Sequence, residues 1–129
     1  MTTNANVIFS YTRTQAIVDR VLIDATDAAK REGYLVPVAL TSGAWSECVA
    51  APPNTDPESE ANDVGRLLAV LWALRRTIEK TGGWKSHLGF TVHLRKRVGD
   101  DLTAYPLKAV LGPDDDARPC VTIMLPEED

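Results

Sequence analysis

Cysteine is nearly absent: Cys48 and Cys120 are the only two in 129 residues. That excludes a disulfide-dense small fold, and the pair lies too far apart for a CxxC or metal-type spacing. Long apolar runs are missing as well. The longest, Leu67 to Leu74, has eight residues, whereas a membrane-spanning helix needs about 20. Met1 to Asn6 holds no basic stretch leading into an apolar run, so no signal peptide is visible and a cytoplasmic location with reduced thiols is expected. Phosphate-cradling motifs are lacking: neither G-x-G-x-x-G nor G-x-x-x-x-G-K-[ST] occurs. Ser42-Gly43 lacks the flanking residues of a nucleophile elbow.

What is present is ordinary for one globular domain, expected over 1–129: apolar residues make up 44% and charged residues 25%. The net charge of −4 conceals an arrangement. Residues 1–74 sum to −4, residues 75–97 to +6 and residues 98–129 to −6. A basic middle segment inside an acidic chain is a pointer to partners. The alternative expectation is that the basic and acidic segments neutralise each other across a hairpin.

Thr12 and Gln15 have capping-box spacing at the start of a short helix. Val21-Leu22-Ile23 is a buried run of undecided type. Thr26 is placed to cap a second helix that Gly33 ends. Pro37 forces Val36 to be extended, and Thr41 or Ser42 can cap a third helix bearing Ala44, Trp45, Cys48 and Val49. Asp56-Pro57 reads as the start of a long helix running to Thr81. Val64, Leu67, Leu68, Leu71, Leu74 and Ile78 supply one apolar face, and Ala61, Gly65, Ala69 and Trp72 a second, with Gly82-Gly83 as the stop. The period then changes to two over Leu88–Leu94, Thr103–Leu111 and Cys120–Leu125. Pro106 suggests an edge or irregular position. The predicted fold is α+β, with short N-terminal helices and one long central helix packed on a C-terminal three-stranded antiparallel meander.

Candidate chemistry is sparse. Zinc would need His87, His93, Cys48 and Cys120 to converge, without any local ligand spacing. A Cys48–His93 nucleophile and base pair has nothing to request it, and Cys48 reads as core. Asp114-Asp115-Asp116 lacks the glycine and distant glutamate of a calcium loop and reads as a solvated turn, as Glu127-Glu128-Asp129 reads as a solvated tail. No metal, cofactor or catalytic residue is expected. The positive signals are Arg95, Lys96 and Arg97 with Trp84, which offer phosphate neutralisation and a stacking platform, and the acidic cluster Asp114, Asp115 and Asp116.

Several segments occur together: Phe9-Ser10-Tyr11-Thr12-Arg13 with Gln15-Ala16-Ile17, Val21-Leu22-Ile23-Asp24, and Pro37-Val38-Ala39-Leu40-Thr41. Trp45 with Cys48-Val49, the run Gly65 to Trp72 and the ending Val121 to Asp129 complete the set. In these the chain resembles, over nearly its whole length, a family of short uncharacterised bacterial proteins often carried on plasmids, phages and other mobile elements. Arg20 stands where that pattern implies a glycine and a tight turn. The resemblance implies an accessory role with no established activity, in the setting of interference with host defence. The expectation is therefore a non-enzymatic protein that binds a host macromolecule, a protein ahead of a nucleic acid. In the nucleic-acid alternative, the basic segment 75–97 makes the contact.

Overall fold

A computed structural model describes residues 12–51, 62–95 and 99–128. Val7–Tyr11, the Asp56-Pro57 helix start, Ala61, Lys96 and Arg97 lie outside the described residues.

The chain runs α1 (Arg13–Val18), β1 (Leu22–Asp24), α2 (Thr26–Arg31), β2 (Val38–Thr41), α3 (Ser42–Ala44) continued by a π-helical turn (Trp45–Val49), α4 (Asp63–Lys80), β3 (His87–Leu94), β4 (Thr103–Pro113) and β5 (Pro119–Met124). The five strands form one mixed sheet in the order β1-β2-β5-β4-β3. β2 runs parallel to β5, from Val38 opposite Val121 to Leu40 opposite Ile123, and every other pair is antiparallel. This corrects the expected three-stranded antiparallel meander. β1 and β2 have three and four residues, too few to display an alternation, and β2 finds its parallel partner some 80 residues downstream. The undecided run at Val21–Ile23 is mostly strand.

Alternation decides which face is covered. Val38, Leu40, Leu88, Phe90, Val92, Leu94, Leu107, Ala109, Val121 and Ile123 are buried on one side of the sheet. Against them pack Ala25 and Ala29 at α2, Ala44, Cys48 and Val49 of the α3–π segment, and Leu67, Val70, Leu71 and Leu74 of α4. Several helices thus close the core, and the expectation of a single long central helix is corrected too. α4 is described from Asp63, where Asn62 Oδ1 accepts the Gly65 N–H at 2.7 Å. Its inward stripe is also rotated from the expected one. Arg66 and Val70 are buried, whereas Val64 and Trp72 face out, because only one side of α4 meets the sheet.

Three helices end in the same way. In each, the residue after the C-cap is left-handed, and the next two amides return to the last turn: Arg20 and Val21 after α1, Gly33 and Tyr34 after α2, Gly82 and Gly83 after α4. The tight turn implied at position 20 therefore forms with an arginine in it, at φ 62°. Gly33, at φ +91°, has a second constraint: a Cβ there would lie 2.8 Å from Arg75 Nη1.

The caps also show where local reading stops. Thr12 accepts the Gln15 N–H at 3.0 Å, but the Gln15 amide turns to Asp19 at 2.9 Å, so only half of the capping box forms. Thr26 is the first residue of α2 and not its cap; its hydroxyl donates to Asp24 Oδ1 at 2.6 Å. Thr41 does cap α3, accepting the Ala44 N–H at 3.1 Å. Pro106 sits in β4 below Lys108, where pairing with β5 begins, so that stretch of β4 is bonded to β3 alone. That local edge accommodates its missing N–H.

Candidate functional site

Two concave regions stand out, and they differ in what remains free. The larger, about 480 Å³, lies on the side of the sheet away from α4, among α1, β1, the start of α3 and the β4–β5 turn. Its polar lining is engaged in holding the fold. Arg13 Nη1 donates to Thr122 Oγ1 at 2.7 Å and Nη2 to the Val121 carbonyl at 2.8 Å. Asp115 accepts the Arg13 N–H at 2.7 Å, the Thr14 N–H at 2.9 Å and the Thr14 hydroxyl at 2.6 Å, so it caps α1 from the β4–β5 turn. Those bonds, the Thr14 hydroxyl foremost, hold the Asp115 carboxyl below its usual range. Asp114 Oδ1 accepts the Asp116 and Arg118 N–H groups within the turn. Glu128 Oε1 accepts the Thr41 hydroxyl at 2.7 Å and the Leu125 N–H at 2.8 Å. The expected solvated tail is therefore pinned at Glu128, and two of the three turn carboxylates have structural duties.

The second region is a groove of about 240 Å³ between the α2–β2 connection and the C-terminal half of α4. Tyr34, Leu35, Val36, Arg75, Ile78 and Trp84 line it, together with Gly33 and Glu79. The left-handed Gly33 turns the chain out of α2 so that Tyr34 points inward and Leu35 outward. Tyr34 donates its hydroxyl to the Leu71 carbonyl at 2.6 Å. Burial pushes that phenol well above its ordinary pKa, partly opposed by the Arg75 guanidinium, so it stays protonated. Trp84 meets the Tyr34 ring edge-on at 6.3 Å between centroids, and Arg75 Nη1 donates to the Glu32 carbonyl at the end of α2.

This groove is apolar and open. Leu35 is 99% exposed and Trp84 40%. Beside it, Trp72, Arg75, Arg76 and Glu79 share one outward face of α4 by their three- and four-residue spacing. Trp72 is 55% exposed, and the Arg76 guanidinium lies 4.8 Å from its ring centroid, a cation–π contact. Exposed Lys80 and Lys85 flank the same end of α4. Large exposed apolar side chains ringed by cations form a surface suited to a partner.

Of the residues singled out in the sequence, Trp84 belongs to this groove and Arg95 does not. Arg95 follows the far end of β3, whose length alone spans about 23 Å, and its Nε donates to the Asp100 carbonyl at 2.9 Å. The hairpin expected to neutralise charge does not do so along its ladder, since β3 carries no Lys, Arg, Asp or Glu. His93 is exposed on the open side of the sheet while Cys48 is buried under the helices, so that pair is not brought together. Burial raises the Cys120 thiol pKa. Among the described residues, no three His, Cys, Asp or Glu side chains are grouped to hold a metal ion. None of their helices is long and apolar enough to cross a membrane. Leu35, Tyr34 and the Trp72–Arg76 pair escaped the sequence reading; the apolar Tyr34-Leu35-Val36 stretch directly after a helix-ending glycine was the available signal.

A family model described as a family of unknown function (DUF6573) matches residues 1–129. The chain belongs to that family. No curated protein and no solved structure matches it. The uncharacterised family implied by the sequence segments is thereby supported, and the candidate site rests on this chain's own geometry.

Proposed function

We infer that the chain is a non-enzymatic binding protein whose groove beside Trp84 receives an apolar side chain of an acidic segment on a protein partner. The observation that carries this is Leu35, fully exposed beside Trp84 and Arg75. Burying such side chains on binding yields about 25 cal/mol per Å², and Arg75, Arg76, Lys80 and Lys85 favour carboxylates nearby. The accessory role on a mobile element, with host defence as its target, belongs to the same proposal and rests on the sequence resemblance. The separation of Trp84 from Arg95 weighs against one continuous strip for a nucleic acid.

The test is a titration of the full chain with a synthetic peptide of aspartates and glutamates around a central leucine. Controls are the same peptide with lysines in place of the acids, and a labelled single-stranded DNA. The acidic peptide should bind, more weakly as salt rises, and Leu35→Asp should weaken it by about tenfold or more. Equal binding of the lysine peptide, or binding of DNA alone, would sink the proposal.

A further inference from the structure

β3 is one border of the sheet, and among the described residues no strand pairs with its outer edge. Its register with β4 is unbroken from His87 opposite Val110 to Leu94 opposite Thr103, so no bulge twists it away. Native edges are usually blunted by shortness, proline, bulges or charge. β1, the opposite border, has three residues. β3 has eight, without proline and without a Lys, Arg, Asp or Glu among them. The proline of the hairpin, Pro106, is one strand further in.

This edge is also self-complementary. Antiparallel pairing of β3 with its own copy, about a two-fold axis normal to the sheet, sets each residue against one of the same face. Leu88, Phe90, Val92 and Leu94 would stay on the helix-covered side, and His87, Gly89, Thr91 and His93 on the open side. Within His87–Leu94 no fixed like charges would meet, and the space around Gly89 is open: a Cβ there would find nothing within 4 Å. We propose that β3 pairs antiparallel with β3 of a second copy of this chain, joining two five-stranded sheets into one. The new backbone ladder and the continued side-chain rows hold the copies together. This interface is separate from the groove at Trp84.

The test is the mass of the full chain in solution across micromolar to millimolar concentrations, by sedimentation equilibrium. The wild type should approach twice 14.1 kDa. Thr91, exposed near the strand centre, lies close to its symmetry mate in such a pair. Thr91→Glu and Thr91→Lys should therefore each be monomeric, and an equal mixture of the two should regain the dimer mass. Leu35→Asp should dimerise as the wild type does, whatever it does to peptide binding. Amide exchange over 87–94 in the wild type should slow as concentration rises, which keeps the test independent of how the variants fold. A monomeric wild type, Thr91 variants that dimerise normally, a mixture that stays monomeric, or exchange that ignores concentration would each overturn the proposal.

Discussion

The acidic turn between β4 and β5 and the basic end of α4 look like equal and opposite features in the linear sequence, yet the fold uses them differently. Asp114 closes its own turn and Asp115 caps α1, each through backbone N–H groups. On α4, Arg76 lies on the exposed Trp72 ring and Lys80 is exposed. A carboxylate that accepts several backbone amides is part of the scaffold; a cation resting on an exposed indole remains available to a partner. Charge counted along the chain is therefore a poor guide to charge on offer.

Buried charge marks the structural extreme of that contrast. Arg66 is 1% exposed; its Nε donates to the Cys48 carbonyl at 2.9 Å and its Nη1 to the Ala50 carbonyl at 3.4 Å, while Nη2 has no partner among the described residues. Arg66→Ala removes that volume and leaves both carbonyls short of a donor, so it should cost about 3 kcal/mol in chemical denaturation. A loss under about 1 kcal/mol would put Arg66 with the available charges instead.

Asp115→Asn is the next step down, with a Tm lowered by a few degrees at neutral pH. Because the folded-state pKa of Asp115 is depressed, its contribution is present above the unfolded value of about 3.9 and fades as pH falls through the lower folded value. The Tm difference between wild type and Asp115→Asn should accordingly close on the acid side of that pH. A difference that persists unchanged there would mean the charge is not what holds α1.

Arg20→Gly should go the other way, gaining about 0.5 kcal/mol. It relieves a left-handed non-glycine residue at the end of α1, partly offset by the greater chain entropy of glycine. A loss of stability would show that the arginine side chain contributes more than its backbone strain costs. Smallest of all, Arg76→Ala should change stability by less than about 0.5 kcal/mol while weakening the acidic peptide. A large thermal effect would move Arg76 to the scaffold side of the comparison.

Much of the secondary structure was legible. α4 shows its 3.6-residue period, Gly82 ends it as expected, and the alternation of Leu88, Phe90, Val92 and Leu94 locates β3. The rotation of α4 was not legible. Val64 and Val70 are equally apolar, and only the position of the sheet decides that Val70 is inside and Val64 outside. Nor was the sheet's composition legible, since Val38-Ala39-Leu40 shows no alternation when both of its faces are buried. Of the candidate site, Trp84 was named from its basic neighbours, but its companions Tyr34 and Leu35 lie some 50 residues earlier in the chain.

The sequence by itself determined the elements whose signals are local: helix periods, the caps at Thr12 and Thr41, the glycines that end α2 and α4, and the period-two strands. These depend on backbone geometry and on neighbours within a few residues. Tertiary structure alone decided the parallel seam between β2 and β5, the capture of Asp115 by α1, and the meeting of Tyr34 with Trp84 beside Arg75. Each joins residues tens of positions apart, and which of many compatible long-range pairings wins depends on the whole core they close together.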